Sequence, residues 1–403
     1  MGRTGRRPPA PRRPRRSRRA AGSSTAGRAA PPSLPRSVRR LRLAVFSDAV
    51  PGRNGVATYY DDLIHHLAPL MNGVVLVSPP AGPPGSTGRF SLSMPGDPTQ
   101  RIYLPQARRV WREMGELSPD VVISATPGPF GALGMAVAIR LGAGFCVAFH
   151  TQLDALADLY WEQLGGRALG AGIRLWDRVM FRCASEVVVH NEELVGAVRE
   201  RGAARARVMG TAAGRAFIAG SPPPIGTTVR NVAFIGRLAP EKEIGQVWEA
   251  ACGFPDIRFR FAGDGPLRAT VEGWALEAPN VESLGWLRRA EVLGLLDSSD
   301  VLVLPSRHET FGSIALEAMA RGRIPIVSPN CGISRWTELA PGLVVMGEGE
   351  RAADALGRVI GMPAEARAEL SRAGRRAARD LTEQTVREWA EVIERTAWSR
   401  RPP

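Results

Sequence analysis

The chain has 403 residues, of which 44% are hydrophobic and 23% charged, as expected for an ordinary globular protein of about two domains. No apolar run approaches the roughly 20 residues that a membrane span requires, and the N-terminus lacks the apolar region of a secretory signal. The four cysteines lack the spacing of metal ligands, so no bound metal is expected. They are predicted to be buried thiols in a reducing compartment, which indicates a cytoplasmic protein: Cys146, Cys183, Cys252 and Cys331.

The net charge of +14 is concentrated at one end of the chain. Residues 1–40 contain thirteen arginines and no acid, so residues 41–403 account for only about +1. The first segment is rich in Arg, Pro, Ala, Gly and Ser and is predicted to be a disordered basic tail. A solvated arm is the simplest interpretation, and attraction to anionic lipid or nucleic acid is the alternative. No specific nucleic-acid partner is predicted for the folded body.

The first part of the body alternates between apolar strands and helices. Strands are predicted at 41–46, 73–77, 120–124, 145–149 and 186–189, and helices at 56–70, 106–117, 128–141, 153–164, 168–183 and 192–201. A Pro- and Gly-rich segment, 221–230, interrupts this series and is predicted to be an interdomain linker.

A second alternating series follows the linker. Its predicted strands are 231–235, 257–262, 280–284, 300–304, 324–328 and 343–346, and a last helix covers about 383–397. Such alternation predicts an α/β protein with two Rossmann-like, doubly wound domains, 41–220 and 231–382, that face a central cleft. The segment 383–403 is expected to pack back across that cleft.

Two cations occupy the loop that is predicted to follow strand 231–235. Arg237 offers a planar fork for phosphate oxygens and Lys242 a compact charge, so together they are suited to a diphosphate. Solvated surface cations are the ordinary interpretation of such a pair. Lys242, however, is the only lysine among 53 basic residues, which indicates that this position requires an ammonium group.

A second loop and helix start follow strand 300–304. Gly312 permits close approach of a ligand to the backbone, and the N–H groups of Ser313 and Ile314 at a helix start favour an anion. Glu317, one turn further on, is placed to accept hydrogen bonds from a ribose diol, and Glu309 to bind sugar hydroxyls. Taken singly, Glu317 is equally consistent with a helix-dipole partner and Glu309 with a solvated acid.

These residues resemble the motifs of glycosyltransferase family 4, whose members have the two-domain GT-B fold. Glu309 and Glu317 match its pair of glutamates separated by seven residues, Gly236–Lys242 its G-R-L-x-x-E-K segment, and Gly263–Pro266 its G-D-G-P turn. The resemblance implies a retaining transferase in which Arg237 and Lys242 hold the donor diphosphate, Glu317 the ribose and Glu309 the sugar. Phe311 belongs to the same donor-binding block.

The first domain adds a weaker match. Gly52, Asn54 and Gly55 fall in a loop similar to the family's P-x-x-N-G-V entry loop, and His150 in its H-T segment, where the histidine contacts the donor sugar. Two segments depart from the family pattern: 210–217 lacks the usual aspartate, and a Gly-Gly pair is replaced within 330–333.

The sequence therefore predicts transfer of a hexose-type sugar from GDP-mannose, UDP-glucose or UDP-N-acetylglucosamine to a lipid, glycan or metabolite. No D-x-D pair presents a metal, so Arg237, Lys242 and helix N-termini are expected to neutralise the leaving diphosphate without a cofactor. A nucleotide-sugar epimerase of the same fold and a binding protein acting through its tail are the alternatives. Peripheral membrane contact is a further expectation for a basic helix that carries Arg108, Arg109 and Arg112 beside Val110, Trp111 and Met114.

Overall fold

The computed structural model describes residues 37–50, 55–79, 91–94, 97–149 and 166–399, besides the isolated Gly2. Its strands are β1 Arg42–Phe46, β2 Gly73–Val77, β3 Ser91–Met94, β4 Asp97–Tyr103, β5 Val121–Ser124, β6 Gly144–Phe149, β7 Glu186–Val189, β8 Ala206–Val208, β9 Asn231–Ile235, β10 Arg258–Ala262, β11 Val281–Gly285, β12 Val301–Leu304, β13 Ile324–Val327 and β14 Val344–Val345.

The helices cover both faces of the sheets that these strands form. They are α1 Gly55–Leu67, α2 Ala107–Leu117, α3 Pro129–Leu141, α4 Gly166–Cys183, α5 Glu193–Glu200, α6 Arg215–Ile218, α7 Ile244–Gly253, α8 Arg268–Glu277, α9 Arg289–Asp297, α10 Ser313–Ala320, α11 Ala352–Gly361 and α12 Ala364–Trp398. The predicted helix 153–164 lies outside the described residues. The expected strands are present to within one or two residues, whereas β3, β4 and β8 were not predicted.

Two parallel six-stranded sheets divide the described chain into two lobes. The first has the order β2-β1-β5-β6-β7-β8 and the second the order β11-β10-β9-β12-β13-β14, while β3 and β4 form a separate antiparallel pair. In each sheet the strand order reverses once, between β1 and β5 and between β9 and β12. This confirms the GT-B architecture of two Rossmann-like lobes, and ligands bind such sheets at the carboxyl ends of the strands that flank the reversal.

The strands form because short β-branched and apolar runs are buried on both sides. All four residues of β12, Val301–Leu304, are buried, as are the four of β13 beside it. Such continuous apolar runs are typical of parallel strands covered by helices on both faces. The body begins before the predicted boundary at residue 41, because a 3₁₀ turn at Val38–Arg40 places Val38 in the core of the first lobe.

The last helix joins the lobes. Helix α12 begins nineteen residues before the predicted start at 383, packs first against α10 and β13 of the second lobe, and then against α1, β5 and β6 of the first. There Trp389 is fully buried and its indole N–H donates to the Tyr59 hydroxyl at 2.6 Å. The second lobe therefore contributes its C-terminal helix to the core of the first.

The cysteines correct one expectation. Cys146 and Cys331 are buried as predicted, but Cys183 and Cys252 are exposed. Cys183 is the last residue of α4 and Cys252 lies one residue before the end of α7, so both sit where a helix end reaches the surface.

Candidate donor site

The loop after β9 is shaped by the Gly-Asp-Gly-Pro turn. Gly263 and Gly265 have φ angles of +150° and +154°, in the region that favours glycine. A Cβ atom on Gly263 would lie 1.8 Å from the Gly236 carbonyl oxygen, and one on Gly265 would lie 2.5 Å from that of Leu238. The two glycines therefore allow the turn to pack directly on the loop that carries Arg237 and Lys242.

The lone lysine reaches across to the loop after β12. The Lys242 ammonium donates a short hydrogen bond to the Glu309 carboxylate, and both side chains are mostly buried, with 16% and 26% of their surface exposed. Arg237 lies further out, 34% exposed, and its guanidinium is 3.4 Å from Glu241. The structure thus brings three predicted site residues to the strand-order reversal between β9 and β12.

A second segment holds the Glu309 loop in place. The Glu309 carbonyl accepts the Gly332 N–H at 2.9 Å, and the Phe311 carbonyl accepts the Ile333 N–H at 2.7 Å. Gly332 leaves no room for a side chain, because a Cβ atom there would lie 1.9 Å from the Thr310 carbonyl oxygen. The segment 330–333, which departs from the family pattern, therefore supports the loop that carries Glu309.

Cys331 in that segment is a packing residue. Its thiol is buried against Gly312, and burial raises the thiol pKa to about 12, so it stays protonated at neutral pH. A protonated thiol is a poor nucleophile.

The start of helix α10 has the geometry predicted for an anion site. Gly312 precedes the helix with φ +92°, and Ser313 and Ile314 form its first turn with partly exposed side chains. The first-turn N–H groups and the helix dipole favour negative charge at this point. Phe311 differs from the others: the residue is buried and its ring packs edge-on against Trp336.

Glu317 is almost completely buried, at 2% exposure, and is paired with a residue that the sequence did not single out. Arg289, the first residue of α9, places Nη1 2.7 Å from Glu317 Oε1 and Nη2 2.5 Å from Asp62 Oδ2 on α1 of the first lobe. Burial raises the pKa of Glu317 to about 7, although Arg289 opposes the shift and Asp62 adds to it. Burial likewise raises the pKa of Asp62 to about 6.

The first lobe contributes a second set of contacts at its own strand-order reversal. The Asp48 carboxylate, after β1, accepts hydrogen bonds from the Thr126 hydroxyl at 2.5 Å and from the Phe130 N–H at 2.8 Å, after β5. Burial raises the pKa of Asp48, and these hydrogen bonds oppose the shift. Asp48 therefore fastens two loops together. Gly55 is the exposed first residue of α1, and Gly52, Asn54 and His150 lie outside the described residues.

Within the described parts of the chain, no three His, Cys, Asp or Glu side chains are grouped in a way that could hold a metal ion. The charged groups at the second lobe's reversal are instead three cations, two glutamates and a helix N-terminus: Arg237, Lys242, Arg289, Glu309, Glu317 and the start of α10. Together with the two Rossmann-like lobes, these groups are the features of a glycosyltransferase of the GT-B class.

The chain belongs to the group 1 glycosyltransferases of family 4 type. The family model "Glycosyl transferases group 1" matches residues 222–377, and "Glycosyltransferase Family 4" matches residues 53–210. A GDP-mannose-dependent alpha-mannosyltransferase of Mycolicibacterium smegmatis is 27% identical over 316 residues, which cover 72% of this chain and 80% of that protein. The sulfoquinovosyl transferase of Arabidopsis thaliana is 25% identical over 72% of this chain and 60% of its own length.

Solved structures agree on the fold. The sucrose-phosphate synthase of Thermosynechococcus elongatus superposes with a TM-score of 0.65 over 89% of this chain and all of that one, at 17% identity. An Anabaena protein in complex with UDP and glucose superposes with a TM-score of 0.61 over 87% of this chain and 98% of that one, at 16% identity.

Proposed function

We propose that the chain moves a hexose from a nucleoside diphosphate donor, GDP-mannose or a UDP-sugar, with retention of configuration and without a metal ion. The observation that carries the proposal is the meeting of Lys242 with Glu309 at the carboxyl ends of β9 and β12. One of these groups suits a diphosphate and the other suits sugar hydroxyls, so the bond between sugar and phosphate would lie between them. The GDP-mannose dependence of a relative supports the donor class.

The chemistry follows from these charges. Negative charge develops on the phosphate oxygen as its bond to the sugar C1 breaks, and in this proposal Lys242, Arg237 and the start of α10 stabilise that charge. The acceptor oxygen then bonds to C1 on the same face, and its proton passes to the departing phosphate. This route needs neither a protein nucleophile nor a metal ion. His150 is expected, from the family resemblance alone, to contact the sugar near C1.

The experiment is a transfer assay in the presence of EDTA. The protein is incubated with GDP-mannose, UDP-glucose or UDP-N-acetylglucosamine and a panel of lipid, glycan and small-molecule acceptors, and the product anomer is assigned by NMR. We expect an α-linked product from an α-linked donor and turnover undiminished by EDTA. An inverted product, or full dependence on an added divalent ion, contradicts the proposed mechanism.

Two controls separate the alternative functions. Incubation with the donor alone tests for an epimerase, which would release an isomerised nucleotide sugar without an acceptor. Deletion of residues 1–40 tests for a protein that acts through its basic tail, because transferase activity should survive that deletion. Loss of salt-sensitive nucleic-acid binding as the only effect of the deletion would favour the tail function instead.

Peripheral membrane contact forms a separate part of the proposal. No helix among the described residues is both long and apolar enough to pass through a bilayer. Arg108, Arg109 and Arg112 on α2 are all exposed, whereas Val110 and Met114 point into the core of the first lobe. Trp111 is half-buried against the same core, and the most exposed apolar side chain just before the helix is Leu104, at 56%. Lipid attraction at this surface would therefore be mainly electrostatic.

A further inference from the structure

Arg289 connects the two lobes through a pair of buried carboxylates. Its guanidinium donates from Nη1 to Glu317 of the second lobe and from Nη2 to Asp62 of the first, residues 255 positions apart in the chain. The Asp62 side chain is 13% exposed and the Glu317 side chain 3%. A planar guanidinium can serve two carboxylates at once, which the single ammonium of a lysine does less well.

The surroundings of Arg289 are fitted to hold it in this position. The Phe217 ring lies under the guanidinium, with the Arg289 carbon Cζ 4.4 Å from the ring centroid. Gly214 leaves room for the bridge, since a Cβ atom there would lie 2.4 Å from Asp62 Oδ1 and 2.9 Å from Arg289 Nη2. Gly214 and Phe217 both belong to the segment 210–217, which departs from the family pattern. That segment therefore packs directly against Arg289 and Asp62.

Glu317 has one oxygen engaged and one left over. Oε1 receives the hydrogen bond from Arg289, whereas Oε2 is buried and has no hydrogen-bond partner among the described residues. A buried carboxylate oxygen without a partner is costly, and native structures rarely contain one that no ligand or water satisfies. A hydroxyl group both donates and accepts, so it suits this oxygen whether the Glu317 carboxyl, whose pKa is about 7, is ionised or protonated.

We propose that Arg289 is a positioning residue of the donor site: it holds Oε1 of Glu317 and thereby presents Oε2 to a ribose hydroxyl of the nucleoside diphosphate. This inference rests on the proposed function, because it requires a nucleotide donor. Through Asp62 the same guanidinium also fixes the carboxylate relative to the first lobe. Arg289 acts through Glu317 and does not itself contact the reacting atoms.

Two other roles for Arg289 are physically reasonable and predict different results. A purely structural interlobe bridge would leave nucleotide affinity unchanged in a folded variant. A plug that competes with the nucleotide for Glu317 would give tighter binding when it is removed. The one-sided contact favours positioning over a plug, because Arg289 engages a single oxygen of Glu317 and leaves the other without a partner.

The test measures nucleotide affinity in the full-length protein by titration calorimetry. UDP and GDP are titrated into the wild type, Arg289→Gln and Arg289→Lys, and the nucleotide that binds is compared with its 2′-deoxy and 3′-deoxy forms. A hydrogen bond to a charged group supports an effect of about 10- to 100-fold on the Kd for Arg289→Gln. Arg289→Lys should recover part of that loss, and kcat at saturating donor should change by much less than KM.

The deoxy nucleotides isolate the contact itself. One of them should bind the wild type more weakly than the intact nucleotide does. For that deoxy nucleotide, the Kd of Arg289→Gln should be nearly the same as that of the wild type, because the hydroxyl that Glu317 would contact is already absent. If Arg289→Gln does not fold, Arg289→Lys, which keeps a cation beside both carboxylates, is compared with the wild type in the same way.

Each remaining outcome counts against the inference. An unchanged Kd, tighter binding, or an undiminished loss with both deoxy nucleotides overturns the positioning role and leaves the proposed function intact. Failure of the wild type to bind either UDP or GDP overturns the proposed donor class and this inference together.

Discussion

The ammonium of Lys242 and the carboxylate of Glu309 are hydrogen-bonded to each other, although they lie 67 positions apart on the loops of different strands. The two groups expected to hold opposite sides of the sugar–phosphate bond therefore neutralise one another in the structure. A donor must therefore separate the two side chains or contact both of them. Substitution of Lys242 should then affect sugar binding by Glu309, and substitution of Glu309 should affect diphosphate binding by Lys242.

Lys242 should be protected from amine-reactive reagents by the donor diphosphate. It carries the only ε-amine of the chain, so acetic anhydride labelling followed by mass spectrometry reports this side chain without interference from other lysines. We expect UDP or GDP to slow labelling of Lys242, and Lys242→Ala to lose about 10²-fold or more in kcat because charge on the leaving phosphate is no longer neutralised.

The matched control for this variant is Arg372→Ala, which removes an exposed cation paired with Glu369 on α12 and should leave turnover unchanged. Unchanged circular dichroism and thermal unfolding establish that Lys242→Ala is folded. A folded Lys242→Ala variant with normal turnover would remove this lysine from the site.

Glu309→Gln should separate sugar binding from diphosphate binding. The substitution removes the charge that Lys242 now neutralises, so the ammonium becomes more available to phosphate. We expect UDP or GDP alone to bind as tightly as to the wild type or more tightly, while kcat for the nucleotide sugar falls by about 10²-fold. Weaker binding of the bare nucleotide, measured by calorimetry, would show that Glu309 does not oppose the diphosphate in this way.

The sequence predicted this part of the site because parallel strands place their carboxyl ends at one edge. Strands 231–235 and 300–304 were expected in one sheet, and because β9 and β12 are neighbours in it, their following loops come together. The pairing of Lys242 with Glu309 could not be predicted. It depends on the path of the loop, which is set by tertiary contacts with the segment 330–333.

The sequence also gave no reason to select Arg289 or Asp62. Arg289 stands beside Arg288, and in a chain with 52 arginines neither position is conspicuous. Arg288 pairs with Glu291 on the surface, whereas Arg289 turns inward to two carboxylates from different lobes. Only the packing of one lobe against the other distinguishes them. The position of Arg289 four residues after a strand end was the one available signal.

Glu317 should make the stability of the protein depend on pH. Its pKa is about 7 in the folded protein against 4.5 for an ordinary glutamate, because burial disfavours the charged form. Between these two pH values the folded state therefore binds more protons than the unfolded state. The contribution of Glu317 to stability is full below pH 4.5 and is lost as the pH rises through 7.

The measurement is urea unfolding of the wild type and Glu317→Gln between pH 5 and pH 8. The free energy of unfolding of the wild type, relative to that of the variant, should fall across this range. Asp62 titrates in both proteins, so the difference reports mainly Glu317. A difference that is flat or rises with pH contradicts the raised pKa.

Gly312→Ala should be more destabilising than an ordinary substitution at a left-handed glycine. The backbone term alone costs about 1–2 kcal/mol, and a Cβ atom on Gly312 would also lie 2.7 Å from the buried Cys331 sulfur. Gly142→Ala is the matched control, because Gly142 also has positive φ and has no neighbour within 4 Å of the added atom. We expect Gly312→Ala to lose about 1–3 kcal/mol more than the control in urea unfolding, and to bind nucleotide more weakly.

The exposed arginines of α2 should attract the protein to anionic membranes. Replacing Arg108, Arg109 and Arg112 together by Gln should reduce sedimentation with liposomes that contain anionic phosphatidylserine, because each basic residue near such a surface contributes about 1 kcal/mol. The effect should weaken in high salt and be absent with neutral phosphatidylcholine. The comparison is made with and without residues 1–40, since the thirteen arginines of that segment could bind the same lipid.

A control of equal charge loss replaces three exposed arginines elsewhere: Arg199, Arg205 and Arg258. If net charge alone governs attraction to the liposomes, both triple variants lose binding equally and α2 has no special role. If α2 faces the lipid, only its own variant loses binding, and Leu104→Ser should add to the loss because that exposed side chain precedes the same helix. Sedimentation that survives both the α2 substitutions and removal of residues 1–40 would place any lipid contact on another surface.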